Sequence, residues 1–244
     1  MNTMNSPSKR RYFEAEENLW HPEKSVHDVQ SLILALSGNT AAGKSTLLQP
    51  LANLISRIHS PISSINERQL QHPVFGFLLT QPETFGFEVQ LDFMLQRSLL
   101  KKRWIEANRS IVIERCLLDD LVFIDTLQTL GYVTTAQHDD FVRIWRSLIE
   151  RGRVPDLIVY LSIDPELSLE RLKKAEGSGE RTREFSSPIS KEELVNTWSK
   201  SYERYFVHEV PLEFQGRIVR VDVPYEFDEL AQHVEKYLVA SVVQ

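Results

Sequence analysis

The stretch SGNTAAGKST at residues 37–46 constrains this chain more than any other. It fits G-x-x-x-x-G-K-[ST], with Gly38, Gly43, Lys44 and Ser45 in the fixed positions. Two glycines let the backbone curl so that successive N–H groups point inward at a polyphosphate. Lys44 reaches the outer phosphates, and the Ser45 hydroxyl is a ligand for Mg²⁺. The motif works only where a strand runs into the loop and the loop into a helix, whose positive dipole end then faces the anion. SLILALS (31–37) reads as a buried strand, and Leu47, Leu48, Leu51, Leu54, Ile55 and Ile58 recur at helical spacing from Ser45 onward. Pro50 marks a point where that helix could kink. A glycine turn that binds nothing is the weaker reading, because both flanks match. The residues expected around a nucleoside triphosphate are Gly38, Asn39, Thr40, Ala41, Ala42, Gly43, Lys44, Ser45 and Thr46.

Strands and helices alternate beyond the loop, which predicts an α/β fold with a parallel sheet covered on both faces. Strands are expected at 31–37, 61–66, 110–115, 156–162 and 217–222. A helix is expected over 87–104, with Leu91, Met94, Leu95 and Leu99 on one apolar stripe. Another spans 117–130 and stops at Gly131. Phe141, Ile144, Trp145 and Leu148 follow the helical period. Asp164-Pro165 opens one further helix, and Ser190 with Glu193 opens the last of these, which carries Leu194, Trp198 and Tyr205. Residues 1–30 are polar and weakly patterned, an N-terminal extension whose Tyr12, Phe13 and Trp20 rest against a domain of residues 31–244. AEGSGERTREFSS (175–187) reads as a mobile lid loop.

With 244 residues and 42% hydrophobic content the chain supports one good core. A net charge of −6 argues against nucleic acid as a partner. The single cysteine, Cys116, rules out an internal disulfide and suits a reducing compartment. No apolar run approaches the ~20 residues of a membrane span, and MNTMNSPSKRRYF lacks the apolar core of a secretory signal. The expectation is a cytoplasmic protein with no membrane partner.

Ligands of open α/β sheets bind beyond the carboxyl ends of the strands. Two carboxylates fall there: Glu67 after the second strand and Glu114 at the end of the third. Glu67 suits a base for an attacking hydroxyl, and Glu114 suits a holder of Mg²⁺. Arg115 brings positive charge to a transferring phosphoryl group. Alternatively, both acids are solvated strand-end residues. Arg181 and Arg183 in the loop at 175–187 are placed to close over phosphates, or else belong to a plain linker.

Several of these stretches, in the same order, resemble the deoxynucleoside kinases. The resemblance runs through GNTAAGKST, NERQLQHP (66–73), FGFEVQLDFMLQR (85–97), IERC (113–116) and PDLIVYLSIDPELSLERLKK (155–174), covering about residues 31–206. It implies the three-layer P-loop kinase fold with a five-stranded parallel sheet, and a homodimer formed by helices on one face. It also implies ATP- and Mg²⁺-dependent phosphorylation of a deoxynucleoside 5′-hydroxyl. Glu67 would be the base, Arg115 would lie near the reacting groups, and Gln90 would pair with the base edge. His72 would line the base pocket, Glu180 would stand for the lid acid, and Arg171 matches a family arginine. The departures fall on the acceptor side. Leu79 replaces a tyrosine that touches the sugar, Glu88 replaces Pro or Gln, and Cys116 replaces Ser. Ala175 and Gly177 interrupt the lid arginines, which move to Arg181 and Arg183. Two alternatives follow from those departures. One is a kinase for a nucleoside monophosphate or other small alcohol, with Arg97, Arg103 and Arg115 available to hold a phosphate. The other is a nucleotide-binding regulatory protein with weak catalysis.

Overall fold

A computed structural model describes residues 19–25, 30–58, 62–67, 75–179 and 190–242. The expectations for Tyr12, Phe13, His72, Glu180, Arg181 and Arg183 lie outside the described residues. The described strands are β1 (Ile33–Gly38), β2 (Ile62–Ile65), β3 (Ser110–Glu114), β4 (Leu157–Ile163) and β5 (Ile218–Val223). They form one sheet in the order β2-β3-β1-β4-β5, with every pairing parallel. β1 lies at the centre and is buried along its whole length. That explains the unbroken apolar run from which the strand was read: a strand covered on both faces has no polar side.

Successive residues of a strand point to opposite faces, so the sheet builds two cores. Ile33, Ala35, Ile111, Ile113, Ile158 and Tyr160 belong to one, and Leu34, Leu36, Val112, Val159 and Leu161 to the other. The second core is completed by α1 (Lys44–Ile58) and α8 (Phe227–Val242), through Leu51, Ile55, Leu230 and Val234. Pro50 sits inside α1 without ending it. The first core carries α3 (Pro82–Glu106), α4 (Leu117–Thr129), α5 (Thr135–Glu150) and α7 (Lys191–Glu203). Between them in sequence lie a short α2 (Phe75–Thr80) and α6 (Pro165–Gly177), the latter capped by Asp164 accepting from Glu166 N–H at 2.8 Å. A π-helical turn, Arg204–His208, follows α7 and carries Tyr205.

The longest helix departs from its sequence reading. It starts five residues earlier than expected, with Pro82 in the first turn, and of the expected stripe only Met94 and Leu91 face the core. Met94 is buried, but Leu95 and Leu99 are exposed, Leu99 by 55%. The residues turned inward are Val89, Gln90, Met94, Arg97, Leu100, Lys101 and Trp104. The helix presents polar groups to the interior because its middle walls the site described below. Its far end is held by the segment 19–25. Trp104 Nε1 donates to Leu19 O at 2.8 Å, and Ser25 N donates to Ala107 O at 2.8 Å. Leu19 joins the core and Trp20 packs against it. Among the described residues no helix is long and apolar enough to cross a membrane.

Candidate active site

The phosphate loop leaves the sheet at its central strand. Gly38 ends β1 with φ +140°, and a Cβ there would lie 2.5 Å from Leu161 O on the paired strand. Only glycine lets the chain turn away without breaking that pairing. Gly43 (φ +98°) and Ala41 (φ +55°) complete the curl, and α1 begins at Lys44. The loop is fastened by its neighbours. Asn39 Oδ1 accepts from Thr40 N at 2.7 Å, while Asn39 Nδ2 donates to Val195 O (3.0 Å) and Ser199 Oγ (3.2 Å) on α7. Ser168 Oγ on α6 donates to Thr40 O at 2.8 Å. Arg171, also on α6, reaches Ala41 O at 3.5 Å. Lys44 Nζ donates back to Gly38 O and Asn39 O, each at 2.8 Å. Ala42 is buried within the loop, whereas Ser45 and Thr46 are exposed on the first turn of α1.

β3 runs beside β1, so its last residue, Glu114, stands next to Leu36. The Ser45 hydroxyl donates to Glu114 Oε1 at 3.1 Å and to Oε2 at 3.2 Å. A hydroxyl and a carboxylate in contact make an all-oxygen pair of the kind hard divalent cations take. Among the described residues no group of three His, Cys, Asp or Glu is gathered for a metal.

A second cluster, around Glu67, is built on charge. Glu67 follows β2 and is held by two arginines. Arg97 Nη2 donates to Glu67 Oε1 at 2.7 Å, and Arg115 forms an ion pair through Glu67 Oε2. Arg97 also pairs with Asp120 on α4. Arg97 is 2% exposed and Asp120 0%. Burial pushes the Asp120 carboxyl up to about 6, outweighing the pull of Arg97 in the other direction. Arg115 takes a left-handed backbone (φ +66°), and its guanidinium carbon lies 5.0 Å from the centre of the Phe123 ring.

Four buried polar atoms around these residues have no hydrogen-bond partner: Gln90 Oε1, Arg97 Nε, Arg115 Nε and Asp120 Oδ2. Buried polar atoms are normally satisfied, and unsatisfied ones point to something that completes them. Gln90 is therefore not on an exposed side of its helix. It lies two turns before Arg97 on the same inward face.

Other sequence candidates fall elsewhere. Glu88 is exposed. Arg103 is half-exposed and bonds Trp20 O at the far end of α3, away from Glu67. The backbone of Leu79 lies in α2. Cys116 is buried as the N-cap of α4, where the Asp119 side chain accepts from its N–H at 2.8 Å. Sequence reasoning missed Asp120 and took Arg97 only as a phosphate ligand. The available signals were two acids set in the apolar run LLDDLVFI (117–124) and the seven-residue spacing from Gln90 to Arg97. It also missed Lys101, which is 7% exposed and whose ammonium burial lowers to about 8.

A profile of the deoxynucleoside kinase family matches residues 34–238. Deoxyadenosine kinase of Dictyostelium discoideum is 26% identical over 170 residues, covering 70% of this chain and 65% of that protein. Human mitochondrial thymidine kinase 2 is 24% identical over 242 residues, covering 95% of this chain and 82% of that one. Among solved structures, a deoxyadenosine kinase from M. mycoides with bound dCTP superposes with a TM-score of 0.65 at 20% identity, over 86% of this chain and all of that one. Its fold is shared.

Proposed function

The chain belongs to the deoxynucleoside kinase family, and on that premise we propose that it transfers the γ-phosphoryl group of ATP to the 5′-hydroxyl of a deoxynucleoside. The observation that carries this reading is Glu67 gripped by Arg97 and Arg115, one strand over from Glu114 and two from the phosphate loop, whose Ser45 binds Glu114.

In this reading Glu67 takes the proton of the 5′-hydroxyl as that oxygen bonds to phosphorus and ADP departs. Each carboxylate oxygen has two lone pairs, so the arginine bonds leave Glu67 able to accept from a substrate. Lys44 and Arg115 meet the charge that develops on the phosphoryl oxygens. Lys44 now binds two loop carbonyls and exchanges them for phosphate oxygens. Ser45 and Glu114 would hold Mg²⁺, which supplies charge neutralisation across the outer phosphates. The Gln90 amide offers a donor and an acceptor to a base edge. The Arg97–Asp120 pair behind it completes a pocket whose unpaired atoms a nucleobase would satisfy.

A monophosphate acceptor fits less well. It needs cations to spare, and the two inward arginines are already paired with Glu67 and Asp120. Leu95 and Leu99, exposed one turn apart on α3, support a homodimer through that helix. The single buried cysteine fits a cytoplasmic setting.

The test is phosphate transfer from labelled ATP with Mg²⁺ to each natural deoxynucleoside, ribonucleoside and monophosphate. Product from at least one deoxynucleoside is expected. No product above a Lys44→Ala control with any acceptor would sink the reading and leave a nucleotide-binding regulator in its place.

A further inference from the structure

Arg115 needs more than Glu67 to aim it. Its N–H still donates to Leu36 O at 2.8 Å, but its left-handed backbone takes the side chain out of the alternation of β3. The Phe123 face supports one side of the guanidinium but supplies no hydrogen-bond acceptor. The same Phe123 ring meets Tyr202, a buried residue of α7, edge to face with ring centres 6.5 Å apart, and the Tyr202 phenol and the Arg115 guanidinium feel each other's charge. The Tyr202 hydroxyl donates to Asp119 Oδ1 at 2.9 Å. With its proton committed to Asp119, the phenol oxygen keeps lone pairs free to meet a guanidinium.

Asp119 is itself locked. Its Oδ2 accepts from Ser37 Oγ at 2.7 Å and from Cys116 N at 2.8 Å, and the residue is wholly buried. Those donors come from the end of β1 and the first turn of α4. The chain of contacts therefore runs from the strand that launches the phosphate loop, through a carboxylate and a phenol, to the arginine that grips Glu67. Burial and Asp119 push the Tyr202 phenol well above its ordinary range, while Arg115 pulls it down. It stays a neutral donor throughout the working range of pH.

We propose that Tyr202, oriented by Asp119, is a positioning residue that holds the Arg115 guanidinium against Glu67, and that neither Tyr202 nor Asp119 touches the substrates. The inference rests on the kinase reading above. α7 also binds Asn39 of the phosphate loop through Val195 and Ser199, so one helix steadies the donor loop and the support of Arg115 together.

The experiment compares the full-length protein with Tyr202→Phe, Asp119→Asn and the double variant. Each single change should lower kcat about 10- to 100-fold, the scale of a small misplacement of a reacting group. The KM values for ATP and nucleoside should stay within about twofold, and the double variant should lose no more than the worse single one. A purely structural role would instead lower the unfolding midpoint and raise both KM values. Tyr202→Phe with kcat within twofold of wild type, or additive losses in the double variant, would overturn the proposal. A second readout does not depend on turnover. The ¹⁵Nη–H signals of Arg115, assigned by their loss in Arg115→Lys, should be slow to exchange in the wild type and fast in Tyr202→Phe. If the wild type phosphorylates no acceptor, the kinase reading fails and these signals still decide the positioning role. Equal exchange in the two proteins would refute it.

Discussion

Ser45 on the first turn of α1 and Glu114 at the end of β3 share two hydrogen bonds, at 3.1 and 3.2 Å. The contact joins the phosphate loop to the neighbouring strand through two oxygen-bearing side chains. Glu114→Gln removes the charge but keeps the shape. The concentration of Mg²⁺ giving half-maximal activity should rise about 10- to 100-fold. Binding of ATP measured without metal should change little. An unaltered Mg²⁺ dependence would show that the acid serves the loop and not the cation.

Glu67 is gripped from two sides, so replacing it by an isosteric amide tests chemistry with little loss of packing. Glu67→Gln should lower kcat by about 10²- to 10⁴-fold, the usual contribution of a general base. ATP affinity, read by calorimetry, should stay near wild type. Loss of ATP binding would contradict the role assigned here.

Asp120 gives a pH dependence with a definite sign. Its carboxyl is raised from 3.8 to about 6 in the fold, so the folded state binds this proton more tightly than the unfolded one. Its contribution to stability is full below about pH 4 and lost as pH rises through about 6. Asp120→Asn cannot ionise. The stability of that variant relative to wild type should therefore grow between pH 4 and 7, by up to about 3 kcal/mol. Denaturant melts at several pH values measure it, and a flat difference would remove Asp120 as the titrating group.

Lys101 behaves in the opposite sense. Burial lowers its ammonium from 10.5 to about 8, so below pH 8 the fold carries a desolvated charge. Lys101→Met should raise stability at neutral pH by about 1–3 kcal/mol. The gain should shrink as pH climbs through about 8 and level off above 10.5, where the wild-type amine is neutral in both states. Destabilisation at pH 7 would mean that the ammonium has a favourable role that its burial conceals.

The donor half of this protein was legible in its sequence because it is local. Gly38 through Thr46 are contiguous, and the strand before them and the helix after them carry unambiguous periods. All five strands lie within two residues of where their apolar runs predict. The acceptor half was only partly legible. Along α3 the expected stripe of Leu91, Met94, Leu95 and Leu99 is half right: Leu91 and Met94 meet the core, Leu95 and Leu99 do not, and the helix turns Gln90, Arg97 and Lys101 inward. A periodicity argument assumes that the interior is apolar, and it fails where the interior holds paired charges. The support of Arg115 was illegible for another reason. Tyr202 and Asp119 are 83 residues apart, and nothing in either neighbourhood announces the other.

The strand order has a consequence for how such a protein changes over time. The triphosphate loop springs from the innermost strand, where a change of one atom at Gly38 meets the backbone of β4. Glu67 hangs from β2, the outermost strand on the opposite flank, and α2 follows it in the chain. Under the kinase reading, the residues that would meet the acceptor start from the edge of the sheet, while the loop that would hold the donor is rooted at its centre, where fewer substitutions fit. A search for altered preference should begin at the margin, between Glu67 and Gln90.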